Sequence, residues 1–135
     1  MKRFFNFSSL FLVVLVVFAF AACQQEDVNR PVTQYQVKYL VVSHMKTKPD
    51  IFVRYFNPKY SNIVSEFYDT IQEWSFEFKG KTFDHLYLEA FTVRDSALLE
   101  VRIIVNNEVV AKDIDSCPWP ITCDTNRAVA TFTLQ

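Results

Sequence analysis

Residues 73–110 hold the pattern that decides the fold, with EWSFEFK at 73–79, HLYLEA at 85–90 and LEVRIIV at 99–105. Apolar and polar side chains alternate along these runs, which gives each run one apolar face and one solvated face. Gly80 is predicted to close the turn after the first run. Asn106-Asn107 follows the third run, and Asn tolerates the positive φ that a two-residue hairpin turn requires. The stretch therefore predicts the antiparallel centre of a β domain.

The flanking chain repeats this alternation in shorter runs. We predict further strands at residues 34–42, 51–56, 61–68, 108–114 and 128–134. The run at 61–68 also fits helical spacing, and a strand is the favoured interpretation. Breaks are predicted at Asn57-Pro58, where proline withholds a ladder donor, and at Arg94-Asp95-Ser96. Seven to eight short strands without a long helix predict an all-β, immunoglobulin-like antiparallel β-sandwich over residues 34–135.

The composition suits one small domain without a basic surface. The chain has 135 residues, of which 14 are Lys or Arg and 15 are Asp or Glu. No run of basic residues is present in the sequence, and nucleic-acid binding requires a clustered basic surface, so we predict no nucleic-acid partner. A domain of about 110 residues buries roughly two-thirds of its unfolded surface, so we predict that it folds without a metal or cofactor.

The N-terminal segment, residues 1–22, is typical of a secretory signal. Lys2-Arg3 precedes an apolar run from Leu10 to Phe20, and the small residues Ala21-Ala22 follow. The run is short for a permanent span of about 30 Å of hydrocarbon. Ala21-Ala22-Cys23 resembles the lipobox of bacterial lipoproteins, in which the cysteine thiol receives a diacylglyceryl group. In that family the signal is then cut before the cysteine, and the new N-terminus is acylated.

This resemblance implies a membrane anchor at Cys23, with residues 23–33 as a polar tether. It also implies an extracytoplasmic location on the bacterial cell envelope, at the outer membrane or the cell surface. Stable attachment needs more than one acyl chain, a requirement that triacylation would satisfy. The alternative is an ordinary cleaved signal that leaves Cys23 as a free thiol.

Cys117 and Cys123 bracket a short loop that contains Trp119 between two prolines. An exported protein meets an oxidising compartment, and once Cys23 is lipidated these two cysteines are the remaining partners, so we predict a disulfide. Such a bridge would contribute about 2 kcal/mol if unstrained. A zinc site is the alternative, but it needs four ligands, and no histidine lies nearby in the sequence. Trp119 is a candidate binding residue at the tip of the loop.

The sequence carries no recognisable catalytic motif. A Gly-x-Ser-x-Gly elbow, a phosphate-cradling glycine loop and a His-Glu-x-x-His motif are all missing, so we predict that the protein is not an enzyme. Asp84 beside His85 could in principle orient a base. We nevertheless interpret His44 and His85 as surface residues.

Three glutamates on the predicted strands, Glu77, Glu89 and Glu100, allow two interpretations. The favoured one is a solvated face on which they are interleaved with basic side chains, namely Arg54, Lys79 and Arg102. The alternative is that the carboxylates face one another across adjacent strands, as an acid and base or as a calcium site.

Aromatic residues exceed what one alternating face of a sheet needs. The excess comes from Phe52, Tyr55, Phe56, Tyr60, Phe67, Tyr68, Phe83, Tyr87 and Phe91. One interpretation is a shared aromatic core with a few scattered exposed rings. The other is an exposed patch that binds a protein, a lipid or a glycan, with Tyr87 and Phe91 as candidate binding residues.

Five segments resemble the mycobacterial membrane protein small (MmpS) family. They are Tyr35-Gln36-Val37-Lys38-Tyr39, Phe52-Val53-Arg54-Tyr55, Glu73-Trp74-Ser75-Phe76-Glu77-Phe78, Leu86-Tyr87-Leu88-Glu89-Ala90 and Val101–Ala111. The family's domain has a Tyr-x-Val opening, a Trp-Ser edge and an Ile-x-Val-(Asp/Asn)-x-x-Val-Val hairpin. The similarity covers most of residues 34–134, with a lipid anchor where family members have a transmembrane helix.

The resemblance implies a noncatalytic accessory subunit of a large envelope transporter of the resistance–nodulation–division type. Two alternatives stay open at this point. One is a cell-surface adhesin or ligand-binding module, and the other is a periplasmic inhibitor that presents the loop around Trp119. No cofactor is expected in any of these roles.

Overall fold

The computed structural model describes residues 32–44, 49–93, 97–117 and 125–135, all within the compact unit Val32–Gln135. The ordered elements in these ranges are eight strands: β1 Gln34–Ser43, β2 Ile51–Asn57, β3 Asn62–Tyr68, β4 Glu73–Lys81, β5 His85–Val93, β6 Leu98–Val105, β7 Glu108–Ser116 and β8 Thr125–Thr133. The all-β prediction is confirmed, and the segment that also fitted helical spacing is strand β3.

The strands form two antiparallel sheets of four strands each. Sheet A has the order β4-β1-β6-β7, and sheet B has the order β3-β2-β5-β8. Among these eight strands, consecutive strands pair with each other in two cases, β2 with β3 and β6 with β7. At the other connections the chain crosses from one sheet to the other. The predicted β-sandwich is therefore confirmed, with β1 as an inner strand of sheet A.

The core lies between the sheets and is made by every second side chain of the inner strands. Its almost fully buried members include Val37, Tyr39, Val41, Ile51, Val53, Leu86, Leu88, Leu99, Val101 and Ile103. Burying one such side chain stabilises the fold by about 1.5–3 kcal/mol relative to leaving it in water. The predicted alternation in β5 is confirmed, since Leu86, Leu88 and Ala90 all belong to this core.

Aromatic rings fill the core on the side where β3 and β4 lie. The Tyr55 ring has its centroid 5.0 Å from that of Trp74, 4.9 Å from that of Phe76 and 6.1 Å from that of Tyr39. Trp74, Phe76 and Phe78 alternate along β4 as predicted and are partly buried. They leave some apolar surface open to solvent at this edge of the sandwich.

Two predicted turns have different outcomes. Asn106 and Asn107 have φ values of 51° and 70° between the paired residues Val105 and Glu108, which confirms the hairpin turn. The prediction that Gly80 closes a turn was wrong, because β4 continues through it and Gly80 pairs with Tyr35. The chain reverses after the end of β4 at Lys81, and Phe83 in this turn has a φ of 72°.

Gly80 is required by close packing and has no positive φ. A Cβ at this position would lie 2.6 Å from Cδ1 of the buried Leu134 and 3.1 Å from Cγ2 of Val37. A glycine inside a strand often marks such a close approach. Its role is to let the last residues of the domain pack against β4.

One corner of the sandwich is closed by side chains that bind the backbone of the facing sheet. The Val129 N–H donates to Asp113 Oδ2 at 2.8 Å, and the Arg127 N–H donates to Asp115 Oδ2 at 2.7 Å. These bonds satisfy donors of edge strand β8 that have no strand partner. They also help explain why β8 begins at Thr125, before the predicted Ala128, and why β7 continues to Ser116.

Candidate functional site

The outer face of sheet B carries a row of three phenylalanine rings, here named the aromatic ladder. Phe67 on β3, Phe52 on β2 and Phe91 on β5 lie directly opposite one another in the strand register. The centroids of Phe52 and Phe67 are 4.8 Å apart, and the rings of Phe52 and Phe91 stack at 4.9 Å. Phe67 is 53% exposed, so the ladder presents apolar surface to solvent.

Glu89 lies in the next row of the same face, and its side chain is only 3% exposed. Its carboxylate accepts hydrogen bonds from Arg54 Nη1 at 3.0 Å, from the Tyr87 hydroxyl at 2.7 Å and from Arg127 Nε. The expected neighbourhood of Glu89 and Arg54 is therefore confirmed, whereas the expectation of a solvated carboxylate was wrong. The long side chains of the two arginines, contributed by the strands on either side, form its partners and its cover.

The structure brings the predicted candidates Tyr87 and Phe91 onto this one face. The Tyr87 hydroxyl contacts Glu89, and partial burial together with that hydrogen bond raises the pKa of the Tyr87 hydroxyl. Phe91 stacks on Phe52. Phe52 and Phe67 belong to the same predicted aromatic excess but were not among the candidate binding residues, because their place beside Phe91 depends on strand register.

Glu100 occupies a comparable position on the outer face of sheet A. Its carboxylate accepts hydrogen bonds from Arg102 Nε at 2.6 Å and from Lys112 Nζ at 2.9 Å, and His44 Nε2 lies 2.6 Å from it. These contacts lower the pKa of Glu100 to about 2. The hydrogen bond from Arg102 has the largest effect, burial opposes it, and the bonds from Lys112 and His44 add to it. Here too the expected neighbourhood of the glutamate and an arginine, Arg102, is confirmed, and the expectation of a solvated carboxylate was wrong.

The three glutamates do not form one site. Glu77 is exposed on β4 and pairs with Lys38 Nζ at 2.9 Å, whereas Glu89 and Glu100 lie on the outer faces of different sheets. Among the described residues, no three His, Cys, Asp or Glu side chains are placed to hold a metal ion together. The acid–base and calcium interpretations of these carboxylates were therefore wrong.

The two histidines differ in their surroundings. His85 is exposed, with Nδ1 3.0 Å from the Thr133 hydroxyl oxygen, as expected for a surface residue. The His44 side chain is 40% exposed and also belongs to the Glu100 group, which the sequence interpretation missed because that contact joins distant parts of the chain.

The Glu100 group predicts a defined dependence of stability on pH. Because the folded-state pKa lies below the ordinary value of 4.5, the contribution is complete above about pH 5 and is lost as pH falls from 4.5 towards 2. We expect a loss of about 2 kcal/mol in the free energy of unfolding over that interval. Urea unfolding at a series of pH values checks this result.

The matched control for that measurement is Glu108→Gln, which removes an exposed carboxylate from β7. Glu100→Gln should flatten the loss of stability below pH 4.5, whereas Glu108→Gln should leave it unchanged. Equal curves for the two variants would contradict the assigned role of Glu100.

A surface cleft of about 430 Å³ lies on sheet A beside the β6–β7 hairpin, and its lining includes Lys38, Glu77 and Asn106. Lys38 and Glu77 already bind each other, and Asn106 Oδ1 accepts the Gln36 N–H at 3.0 Å. The polar groups of this cleft therefore serve the fold.

Several predicted site residues lie outside the described part of the chain: the lipidation candidate Cys23, the loop residue Trp119 and the disulfide candidate Cys123. The predicted turn at residues 94–96 lies outside it as well. Cys117 is described and is 1% exposed, with its N–H donating to the Ala97 carbonyl at 2.7 Å. The bridge between Cys117 and Cys123 stays a prediction.

Comparisons of the chain with models of known protein families and with curated proteins find no match. In the part of the chain that the structure describes, no helix has the length and apolar character needed to cross a membrane. The likeness to the MmpS family consequently rests on the sequence segments quoted above.

Proposed function

We propose that this protein is a noncatalytic binding module, anchored by a lipid on Cys23 outside the cytoplasm, that contacts a partner protein through the outer face of sheet B. The observation that carries the proposal is the aromatic ladder of Phe67, Phe52 and Phe91 on a solvent-facing sheet. Phenylalanine and arginine are both enriched at protein interfaces relative to the rest of the surface.

The surroundings of the ladder support a protein partner. Ile63 on β3 is 43% exposed on the same face, two rows from the ladder, while Arg127 lies opposite Phe91 at the end of the ladder row. The Arg54 and Arg127 side chains are 44% and 54% exposed, so each guanidinium can bind an acceptor besides Glu89. An apolar centre with an arginine rim is the usual anatomy of an interface.

The proposed anchor limits where the partner is found. A tether of eleven residues, 23–33, spans at most about 40 Å when fully extended. The sandwich would therefore act close to the membrane surface, and its partner would be a membrane protein or another protein held there.

A second candidate, accessory subunit of a resistance–nodulation–division transporter, is favoured by the five segments that resemble the MmpS family. The two candidates are compatible, because the transporter would then be the partner of sheet B. A surface adhesin or ligand-binding module would use the same face on a different partner.

Crosslinking of the full chain in its own envelope tests the proposal. A photoreactive amino acid replaces Phe67, and a matched protein carries it at Glu108, an exposed position on sheet A. We expect a specific membrane-associated protein to be crosslinked from position 67 and not from position 108. If the crosslinked protein is a transporter subunit, the result supports the second candidate. Equal crosslinking from both positions would contradict a role for sheet B.

A Cys23→Ser variant tests the anchor separately. We expect it to lose incorporation of a labelled palmitate and to leave the membrane fraction. Retention of both label and membrane association would show that Cys23 is not the attachment point.

A further inference from the structure

Strand β4 is an edge of sheet A whose outward backbone groups can be identified from its pairing with β1. At one end the Ser43 N–H donates to the Gln72 carbonyl at 2.8 Å, and at the other the Thr82 N–H donates to the Thr33 carbonyl at 3.2 Å. Bonded and non-bonded pairs alternate along an antiparallel ladder, and the register between these ends is continuous. The even-numbered residues of β4 therefore bond to β1.

Five odd-numbered residues of β4 have backbone groups that point to the free edge, and four of them precede Lys81: Glu73, Ser75, Glu77 and Lys79. Within the described residues, none of their N–H groups has a side-chain acceptor, unlike the Lys81 N–H, which donates to Asp84 Oδ2 at 2.8 Å. The opposite corner of the sandwich differs as well, because Asp113 and Asp115 bind two outward N–H groups of β8, those of Val129 and Arg127. An edge of this kind is able to accept a further strand.

We propose that two copies of this chain pair antiparallel through the free edge of β4, with the two Phe76 residues opposite each other at the twofold axis. This register places Glu73 opposite Lys79 of the second copy, twice by symmetry, and Ser75 opposite Glu77. Each of these pairs joins residues whose backbone groups face outward, which gives about eight hydrogen bonds between the copies.

Charge complementarity indicates that the strand pairing with the free edge of β4 is β4 of a second copy. Among the described residues, neither Glu73 nor Lys79 has an ion-pair partner, whereas Glu77 already binds Lys38. The proposed register pairs the two unpaired charges and brings no like charges opposite each other. A strand that placed Glu or Asp opposite Glu73, or Lys or Arg opposite Lys79, would bring like charges together, which opposes pairing.

The inner face of β4 gives a second argument. The same register sets Trp74 opposite Phe78 of the second copy at non-hydrogen-bonded positions, where side chains approach most closely. These rings are only partly buried in one copy. A twofold axis perpendicular to the sheet keeps the inner faces of both copies on the same side, so pairing covers the aromatic surface left open at this edge.

The test uses two full-length copies with different C-terminal tags, expressed together in their own envelope. One tag is captured from detergent-solubilised membranes, and the amount of the other is measured. We expect co-capture of the unaltered copies, a decrease of about tenfold with Glu73→Lys in both, and recovery with Glu73→Lys combined with Lys79→Glu. The matched control Glu108→Lys, on exposed β7, should leave co-capture unchanged.

Ser75→Pro gives an independent check, because it removes an outward N–H without removing a bond to β1. We expect this variant to lose co-capture while its circular dichroism stays that of the unaltered sandwich. The proposal is overturned if unaltered copies are not captured together, if Glu73→Lys has no effect, or if the charge exchange fails to restore capture. None of these results depends on the partner of sheet B.

Discussion

Tyr55→Ala is expected to lower the free energy of unfolding of the Val32–Gln135 unit by about 4 kcal/mol. Tyr55 is 3% exposed and lies on β2 of sheet B, while its ring contacts Trp74, Phe76 and Tyr39 of sheet A. Its hydroxyl also donates to Glu66 Oε1 at 3.2 Å. The substitution removes the ring that joins the two sheets and leaves a cavity among rings that cannot collapse onto alanine.

Tyr60→Ala is the matched control, since it makes the same substitution at a residue that is 62% exposed. Lys59 Nζ lies 5.4 Å from the centroid of the Tyr60 ring, and loss of this exposed contact should cost less than about 1 kcal/mol. Urea unfolding followed by circular dichroism measures both variants. Similar losses for Tyr55 and Tyr60 would contradict the assigned position of Tyr55 in the core.

The second large effect is expected at Glu89. Replacing Arg54 and Arg127 together with Met should lower the free energy of unfolding by about 3 kcal/mol, because among the described residues it leaves the buried carboxylate with the Tyr87 hydroxyl as its partner. Adding Glu89→Met to this double variant removes the buried charge. The triple variant should regain most of the lost stability, since an apolar replacement of a whole buried group is often neutral.

Lys38→Met is the control for these measurements, because it removes the cation of an ion pair whose Glu77 side chain is 68% exposed. Such a pair contributes about 0–1 kcal/mol, so only a small change in urea stability is expected. If the triple variant at Glu89 were no more stable than the double variant, the loss would come from arginine packing and not from the unpaired charge.

The sequence predicts those features of the fold that depend on neighbouring residues. The alternation of Leu86, Leu88 and Ala90 identifies β5, and Asn106-Asn107 identifies the hairpin, because both signals lie within a few neighbouring residues. The structure confirms both. Gly80 shows the limit of this reasoning. A lone glycine after a strand suggests a turn, whereas its true cause is a contact with Leu134 at the other end of the domain.

The surface of sheet B was predictable only in part, for the same reason. Tyr87 and Phe91 stand out along their own strand, but the ladder exists because the register places Phe52 and Phe67 beside Phe91. The burial of Glu89 similarly depends on Arg127, which the chain reaches only in its last strand. Which strands become neighbours is decided by the whole core, and no window of the sequence contains that information.

The placement of β1 has a mechanical consequence. The first strand of the domain, which continues directly from residues 1–33, lies between β4 and β6 and pairs with both along most of its length. A force that pulls the chain from its N-terminal end along β1 loads the hydrogen bonds on both sides at once, in shear. A strand at the edge of a sheet would instead break its hydrogen bonds one at a time. The inner position of β1 therefore lets the sandwich resist a pulling force applied at its N-terminal end.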